Sequence, residues 1–91
     1  MQTIEEYEIK SYDKNAVRAF SKSIGDAIRK SVSPDYYVTM IREKKNGLFY
    51  CTLIIFLRTE LCEDVLSSVL LFYARQHGVA VTFINSKNRG S

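Results

Sequence analysis

The sequence contains no tryptophan, one proline, one histidine, two cysteines and four glycines. The glycines are scattered, so no glycine-rich loop is available to hold a phosphate group. Cys51 and Cys62 do not form a C-x-x-C pair, and His77 has no second histidine to complete a metal-ligand pattern. Nothing here favours nucleotide hydrolysis, redox chemistry or a zinc site, and we expect neither a cofactor nor a metal.

Long hydrophobic runs are also missing. Unbroken apolar runs such as residues 53–57 are short, whereas a membrane-spanning helix needs roughly 20 such residues. No charged segment followed by an apolar stretch opens the chain, so a secretory leader is not expected. We therefore expect a cytoplasmic protein that does not insert into a membrane.

What the chain does have is an ordinary globular composition with unevenly placed charge. Hydrophobic residues make up 46% and charged residues 25% of the 91 residues, which suits one folded domain with one core. The net charge is only +3, but residues 10–45 hold nine basic and four acidic residues. The local excess of positive charge is what makes an anionic partner plausible.

Hydrophobic periodicity predicts four strands and two helices. Residues 4–10 alternate as a strand does, and residues 14–31 carry apolar side chains at three- and four-residue spacing after a capping Asp13. Ser33-Pro34-Asp35 breaks that helix, because proline cannot donate a backbone hydrogen bond. Residues 36–44 and 48–58 then flank Asn46-Gly47, the strongest hairpin signal in the chain.

A second helix follows, with Thr59 as its cap and Glu60, Glu63 and Asp64 in its first turn, where negative charge is favoured. Gly78 ends this helix, and residues 79–84 form the last strand. The order β-α-β-β-α-β predicts a ferredoxin-like α+β fold: a four-stranded antiparallel sheet with two helices on one face. Residues 1–84 form the domain, and residues 85–91 are expected to be a flexible tail.

The hairpin turn predicts which sheet residues share a face. It pairs Lys45 with Leu48, Arg42 with Cys51, Met40 with Leu53 and Val38 with Ile55. The face under the helices would hold Tyr36, Val38, Met40, Cys51, Leu53, Ile55 and Leu57. The opposite face would hold Tyr37, Thr39, Ile41, Tyr50, Thr52, Ile54 and Phe56, which is more apolar than an exposed sheet face usually is.

Basic residues are expected to gather at one edge of this sheet. The topology brings the end of the first strand, the hairpin turn and the exit of the second helix together, and the first helix continues the row at four-residue spacing. The predicted edge comprises Lys10, Lys14, Arg18, Lys22, Arg42, Lys44, Lys45 and Arg75. Solvated lysines on a helix and at a hairpin tip are equally an ordinary protein surface.

The aromatic face has competing interpretations. Tyr37, Tyr50 and Phe56 could stack on bases, as aromatic residues of the sheet do in RNA-recognition domains of this topology. The Lys/Arg-Gly-aromatic-small-aromatic pattern of those domains is not met by residues 46–50, so the sequence indicates no membership of that family. A homodimer interface, or cover from the C-terminal tail, would also explain the face.

Catalysis has no support in the sequence. Cys62 and His77 lie at opposite ends of the second helix, about 22 Å apart at 1.5 Å per residue. Cys51 is predicted to point into the core. The leading hypothesis is therefore a non-enzymatic, homodimeric protein that binds nucleic acid, with RNA or single strands favoured. The alternative is a protein-protein interaction module, such as a regulator or inhibitor that docks on a larger enzyme.

Overall fold

The computed structural model describes residues 2–31, 36–57 and 62–89. Its elements are, in chain order, β1 (Gln2–Ser11), α1 (Lys14–Ser31), β2 (Tyr36–Val38), β3 (Arg42–Lys45), β4 (Leu48–Leu57), α2 (Cys62–His77) and β5 (Ala80–Arg89). All strand pairs are antiparallel, in the order β2-β4-β1-β5, with β3 also paired to β4. The α+β class with two helices is confirmed, but the described strands number five and not four.

The fifth strand arises because the predicted second strand is interrupted. The Thr39 N–H donates to the Thr52 carbonyl at 2.9 Å, and the Thr39 hydroxyl accepts a hydrogen bond from the Thr52 N–H at 2.8 Å. Arg42 is already paired with Tyr50, so Met40 and Ile41 both face Cys51. Two residues against one is a β-bulge, which bends the strand and divides it into β2 and β3.

This bulge, together with a register shift between Glu43 and Lys45, changes the predicted pairing. Lys45 does pair with Leu48, but Arg42 pairs with Tyr50 and not Cys51, and Val38 pairs with Leu53 and not Ile55. Met40, expected under the helices, is 77% exposed, whereas Ile41, expected on the opposite face, packs against the core. The shift reverses the faces of these two residues because side chains alternate along a strand.

The hairpin turn itself is as predicted. Asn46 and Gly47 both have positive φ angles, 52° and 80°, as a two-residue turn between right-twisted strands requires. The Gly47 N–H donates to the Glu43 carboxylate at 3.2 Å. A second register shift lies between Glu43 and Lys45, so the turn fixes the end of the hairpin but not the pairing further along it.

Both helices pack on one face of the sheet, around a single core. In α1 the predicted apolar positions Val17, Phe20, Ile24 and Ile28 are fully buried, and the Asn15 N–H donates to the Asp13 carboxylate at 2.9 Å, which confirms the predicted cap. From the strands, the core receives Tyr7, Ile9, Cys51, Leu53, Ile55 and Leu57, and from α2 it receives Leu66, Leu70 and Ala74.

The last strand is longer than predicted. Gly78 has φ 68° and the Val79 N–H donates to the Ala74 carbonyl at 3.0 Å, so α2 ends where expected. β5 then pairs with β1 as far as Gln2↔Arg89, with a bulge opposite Glu6 and Tyr7. Residues 85–89, expected in a flexible tail, are therefore part of the sheet ladder, because β1 begins early enough to pair with them.

Some predicted features fall outside the described residues. These are the helix-breaking Ser33-Pro34-Asp35 segment, the Thr59 cap with Glu60, and the last two residues of the expected tail. In the part of the chain that is described, no helix is both long and apolar enough to cross a membrane.

Candidate functional site

The sheet face opposite the helices, called the open sheet face below, changes character along its length. From Tyr50 to Leu57, every second residue of β4 points away from the core and is only half-buried, whereas the residues between them are fully buried. The β1–β4 register sets these residues against alternating β1 residues. The open sheet face comprises Ile4, Glu6, Glu8, Lys10, Tyr37, Tyr50, Thr52, Ile54 and Phe56, with Arg42 and Lys44 beside Tyr50.

Three basic residues surround Tyr50. We refer to Tyr50, Lys10, Arg42 and Lys44 as the Tyr50 cluster. Lys10 and Arg42 are the partners of Tyr50 on the two neighbouring strands, so their side chains leave the sheet on the same side. The Lys44 ammonium lies 5.6 Å from the centre of the Tyr50 ring, a cation–π distance. The hairpin and β1 together thus place three positive charges around one aromatic ring.

Arg42 and Tyr50 also line a shallow depression at the β2–β3 bulge. Its volume is about 220 Å³, and its other walls are Thr39, Met40 and Thr52. The bulge creates this depression, because it turns Met40 outward beside the two threonines. A small anionic group could contact the Arg42 guanidinium there while a planar group lies against Tyr50.

Glu8 partly neutralises the Tyr50 cluster. One carboxylate oxygen lies 3.5 Å from the Lys10 ammonium and 3.6 Å from the Lys44 ammonium, and the Glu8 side chain is only 20% exposed. Glu8 was not among the predicted site residues. The signal was present, since a strand puts residues 8 and 10 on one face, but contact with Lys44 depends on the neighbouring hairpin.

The other predicted basic residues are spread over three surfaces. The Lys14 ammonium lies 5.8 Å from the centre of the Phe49 ring, on the helix side of the hairpin, and Lys45 is exposed next to the turn. Arg18 and Lys22 are exposed along α1. The predicted edge is therefore real only in part: Lys10, Arg42 and Lys44 come together, and Lys14 and Lys45 lie at the same end.

Arg75 does not join this group. It lines a groove on the outer surface of α2 with Ser68, Leu71, Phe72 and Gln76. The exit of α2 does approach the end of β1, since Gly78 and Lys10 line one depression of about 320 Å³. The last turn of the helix nevertheless directs Arg75 to the outer surface, which the helix bounds alone did not reveal.

The three predicted stacking residues differ in access. Tyr37 is 58% exposed, Tyr50 has the Lys44 ammonium over its ring, and Phe56 is half-buried beside Ile4. Tyr37 pairs with Ile54, four residues from Tyr50, or about 13 Å along the strand. Tyr37 is the most exposed of the three, since Tyr50 and Phe56 are both half-buried.

Cys51 and His77, two other reactive groups, both pack against neighbouring side chains. Cys51 is fully buried, and burial raises the pKa of its thiol, an effect partly offset by the Ser21 hydroxyl 3.5 Å away. His77 stacks on Tyr73 with 6.4 Å between ring centres and meets the edge of Phe20. Within the described residues, no three histidine, cysteine or carboxylate side chains are grouped so as to hold a metal ion.

Comparison with known proteins supports the fold but indicates no function. No protein family and no curated protein matches the sequence. Among solved structures, the chain resembles the de novo designed protein Foldit4, with a TM-score of 0.77 and 16% identity over 99% of this chain and 100% of that one. It also resembles a nitrogen regulatory PII-like protein from Thiomonas intermedia, bound to ADP, AMP and bicarbonate, with a TM-score of 0.61 and 12% identity over the whole of both chains.

A third similar structure is a hydantoinase/carbamoylase family amidase from Burkholderia ambifaria, with a TM-score of 0.68 and 13% identity. The match covers 94% of this chain but only 28% of the amidase, so it concerns a small part of that enzyme. At such low identities a likeness carries no activity from one protein to another. Its architecture and its structural neighbours thus place the chain in an α+β fold with two helices and, among the described residues, a five-stranded antiparallel sheet.

Proposed function

We propose that this domain is a non-enzymatic nucleic-acid-binding protein that holds single strands, RNA in particular, on its open sheet face. The observation that carries the proposal is the Tyr50 cluster, in which Lys10, Arg42 and Lys44 surround one aromatic ring on the face opposite the helices. Phosphate groups bind such cations, and bases stack on such rings.

Single strands suit this surface better than duplexes. A duplex hides its bases, and the proteins that read it usually insert a helix or a two-stranded ribbon into a groove. Here the helices cover the opposite side of the sheet, and the candidate site is a nearly flat surface. Unpaired bases can lie on a sheet and expose their phosphates to its basic end.

The proposed roles follow from position. Lys10, Arg42 and Lys44 contact phosphates, and Lys45 and Lys14 extend this positive region around the hairpin. Tyr37 is the principal stacking residue, because its ring is the most exposed on the face. Tyr50 becomes available when Lys44 leaves its ring for a phosphate. Arg18, Lys22 and Arg75 lie on other surfaces and attract the strand only at long range.

The experiment is a titration of labelled single-stranded RNA, single-stranded DNA and duplex DNA at several salt concentrations. Three phosphate contacts predict that log K falls with log salt with a slope of about −2 for a single strand. Lys44→Gln should weaken binding and reduce this slope, whereas Lys30→Gln, an equal charge change at the end of α1, should have a smaller effect. Affinity that is independent of salt, or equal effects of the two variants, would contradict the proposal.

Stacking is tested separately at Tyr37. Tyr37→Phe keeps an aromatic ring and should bind nearly as well as the original protein. Tyr37→Leu keeps an apolar side chain without a ring and should lose about 1–3 kcal/mol of binding free energy if a base stacks there. Equal binding by the two variants would remove Tyr37 from the site.

A second candidate function is a protein-protein interaction module. The specific observation in its favour is on α2, where Leu71 is 58% and Phe72 is 62% exposed. Such a domain could regulate or inhibit a larger enzyme by docking through this helix. A pull-down from nuclease-treated extract distinguishes the two candidates, because a protein partner survives the nuclease and a nucleic-acid partner does not.

A further inference from the structure

The depression at the β2–β3 bulge contains an unusual hydrogen bond between two threonines. In a regular antiparallel pair, the Thr52 N–H would donate to a backbone carbonyl of the neighbouring strand. Here it donates to the Thr39 hydroxyl oxygen at 2.8 Å, while the Thr39 N–H donates to the Thr52 carbonyl at 2.9 Å. This bond holds the Thr39 hydroxyl in place as an acceptor, and no described residue accepts its own hydrogen.

The Thr52 hydroxyl is accessible to a ligand as well. Thr52 is half-buried and lines the same depression as Thr39. Among the described residues, none forms a hydrogen bond with the Thr52 hydroxyl, so this group can both donate and accept one. The depression therefore offers two hydroxyl groups to a ligand, in addition to the Arg42 guanidinium.

The two threonines lie between the residues to which we assign base stacking and phosphate binding. On β4, the open-face residues Ile54, Thr52 and Tyr50 follow one another at intervals of about 7 Å. Tyr37 is the partner of Ile54, and Arg42 is the partner of Tyr50. A base on Tyr37 and a phosphate on Arg42 would therefore lie on opposite sides of the threonine pair.

The connectivity of a nucleotide decides which of its groups lies over the threonines. The sugar joins the base to the phosphate, so a nucleotide that reaches from Tyr37 to Arg42 places its sugar over the depression. The volume of about 220 Å³ has room for one sugar ring. Glu8 is the partner of Thr52 on β1, and its negative charge disfavours a phosphate at this point. A neutral sugar is the group that fits.

We propose that this depression recognises the 2′-hydroxyl group of a ribose and thereby distinguishes RNA from single-stranded DNA. The inference rests on the proposed function, because it assigns a specificity to the same surface. A 2′-hydroxyl both donates and accepts a hydrogen bond, and the Thr39 and Thr52 hydroxyls together supply both partners. Deoxyribose carries a hydrogen atom in its place and forms neither bond.

The experiment compares oligonucleotides of equal length that differ only in the sugar. Hydrogen bonds of ordinary strength predict that oligouridine binds about two- to tenfold more tightly than oligodeoxyuridine. An oligonucleotide of 2′-fluorouridine is the third ligand, because fluorine keeps the sugar pucker of RNA but cannot donate a hydrogen bond. It should bind more weakly than oligouridine. Equal binding of these two strands would show that the protein reads the shape of the sugar, and would overturn the proposal.

Thr52→Val tests the residue itself. Valine keeps the β-branched shape that suits a strand but removes the hydroxyl. This variant should lose most of the preference for oligouridine over oligodeoxyuridine. Thr82→Val is the matched control, because Thr82 is exposed and is the partner of Glu8 on β5, on the same side of the sheet but outside the depression. It should keep the full preference. A preference that survives Thr52→Val, or that both variants lose equally, would contradict the assignment.

The outcomes for sugar recognition and for nucleic-acid binding are distinguishable. Equal, salt-dependent binding of both oligonucleotides that Lys44→Gln weakens would support the proposed function and refute sugar recognition alone. A protein that binds none of the three oligonucleotides would refute both, because the second rests on the first. The comparison of the three ligands uses the original protein, so its result does not depend on how well a variant folds.

Discussion

The Lys44 ammonium lies 5.6 Å from the centre of the Tyr50 ring, across the β3–β4 hairpin. The same ammonium is 3.6 Å from a Glu8 carboxylate oxygen. Lys44 is thus held between an aromatic ring and a negative charge, although it is itself half-exposed. An anionic ligand must compete with Glu8 for this residue, which makes Glu8 a determinant of the affinity of the Tyr50 cluster.

Glu8→Gln is expected to strengthen the binding of single-stranded nucleic acid. The substitution removes the charge that Lys10 and Lys44 both contact, and by the size of surface ion pairs the gain should be about two- to fivefold. Glu6→Gln is the matched control, because Glu6 lies on the same strand face opposite Ile54. Binding titrations that show equal gains for the two variants would mean that only net charge matters.

The bulge in the second strand separates Met40 from Leu53, the residue that a regular hairpin would pair with it, and we expect their substitutions to differ in effect. Leu53→Ala should lower the free energy of unfolding by about 2–5 kcal/mol, because Leu53 is fully buried. Met40→Ala should change it by less than about 0.5 kcal/mol, as substitutions at exposed positions do. Denaturant unfolding measures both. A large loss of unfolding free energy for Met40→Ala would contradict the bulge and favour the regular hairpin register, in which Met40 is buried.

Gly25 is expected to resist substitution because α1 packs closely on β2. A Cβ atom at position 25 would lie 2.5 Å from the Tyr36 hydroxyl oxygen, so Gly25→Ala must displace the ring, at a cost of about 1–3 kcal/mol. The better helix propensity of alanine offsets about 1 kcal/mol of this. The net effect on the free energy of unfolding should be a loss.

The control is Tyr36→Phe, which removes the nearest contacting atom. In that background Gly25→Ala should cost less, by at least about 0.5 kcal/mol, because residues in contact are not additive. If Gly25→Ala lowers the free energy of unfolding equally in both backgrounds, the Tyr36 hydroxyl does not restrict residue 25.

Cys51 is expected to make stability fall in alkaline solution. Burial raises the pKa of its thiol above the usual 9.0, so the unfolded chain loses this proton at a lower pH than the folded protein does. The contribution is complete below pH 9.0 and is lost as pH rises toward the higher pKa of the folded state. Above this pH, the free energy of unfolding should decline less steeply for Cys51→Ala than for the original protein. Measuring both proteins side by side cancels the titrations that they share. Parallel declines would contradict the assignment.

The α+β class could be predicted from the sequence because its signals are local. The spacing of Val17, Phe20, Ile24 and Ile28 creates a helix face whatever it packs against, and all four are fully buried. Asn46-Gly47 similarly specifies its turn through the backbone angles that these two residues tolerate. The alternation in β4 was enough to identify the core residues Cys51, Leu53, Ile55 and Leu57.

The candidate site was predicted less completely. Lys10, Arg42 and Lys44 were placed correctly at the hairpin end, because the topology brings those segments together. Arg75 was wrongly placed with them, because its position depends on the rotation of the second helix. Glu8 was missed, because its contact with Lys44 depends on the exact register between strands. The order of the elements therefore predicts which basic residues could lie close together, and the packing of the side chains decides which of them do.

By itself, the sequence determined the α+β class, the order of helices and strands, and which side of the first helix meets the core, because these depend on contacts a few residues apart. Only the tertiary structure decided where the second strand breaks, that β5 continues to Arg89, and that Lys44 stands between Tyr50 and Glu8. Those features depend on pairing between distant segments. A shift of one residue in register reverses the face of every later side chain without changing any local pattern.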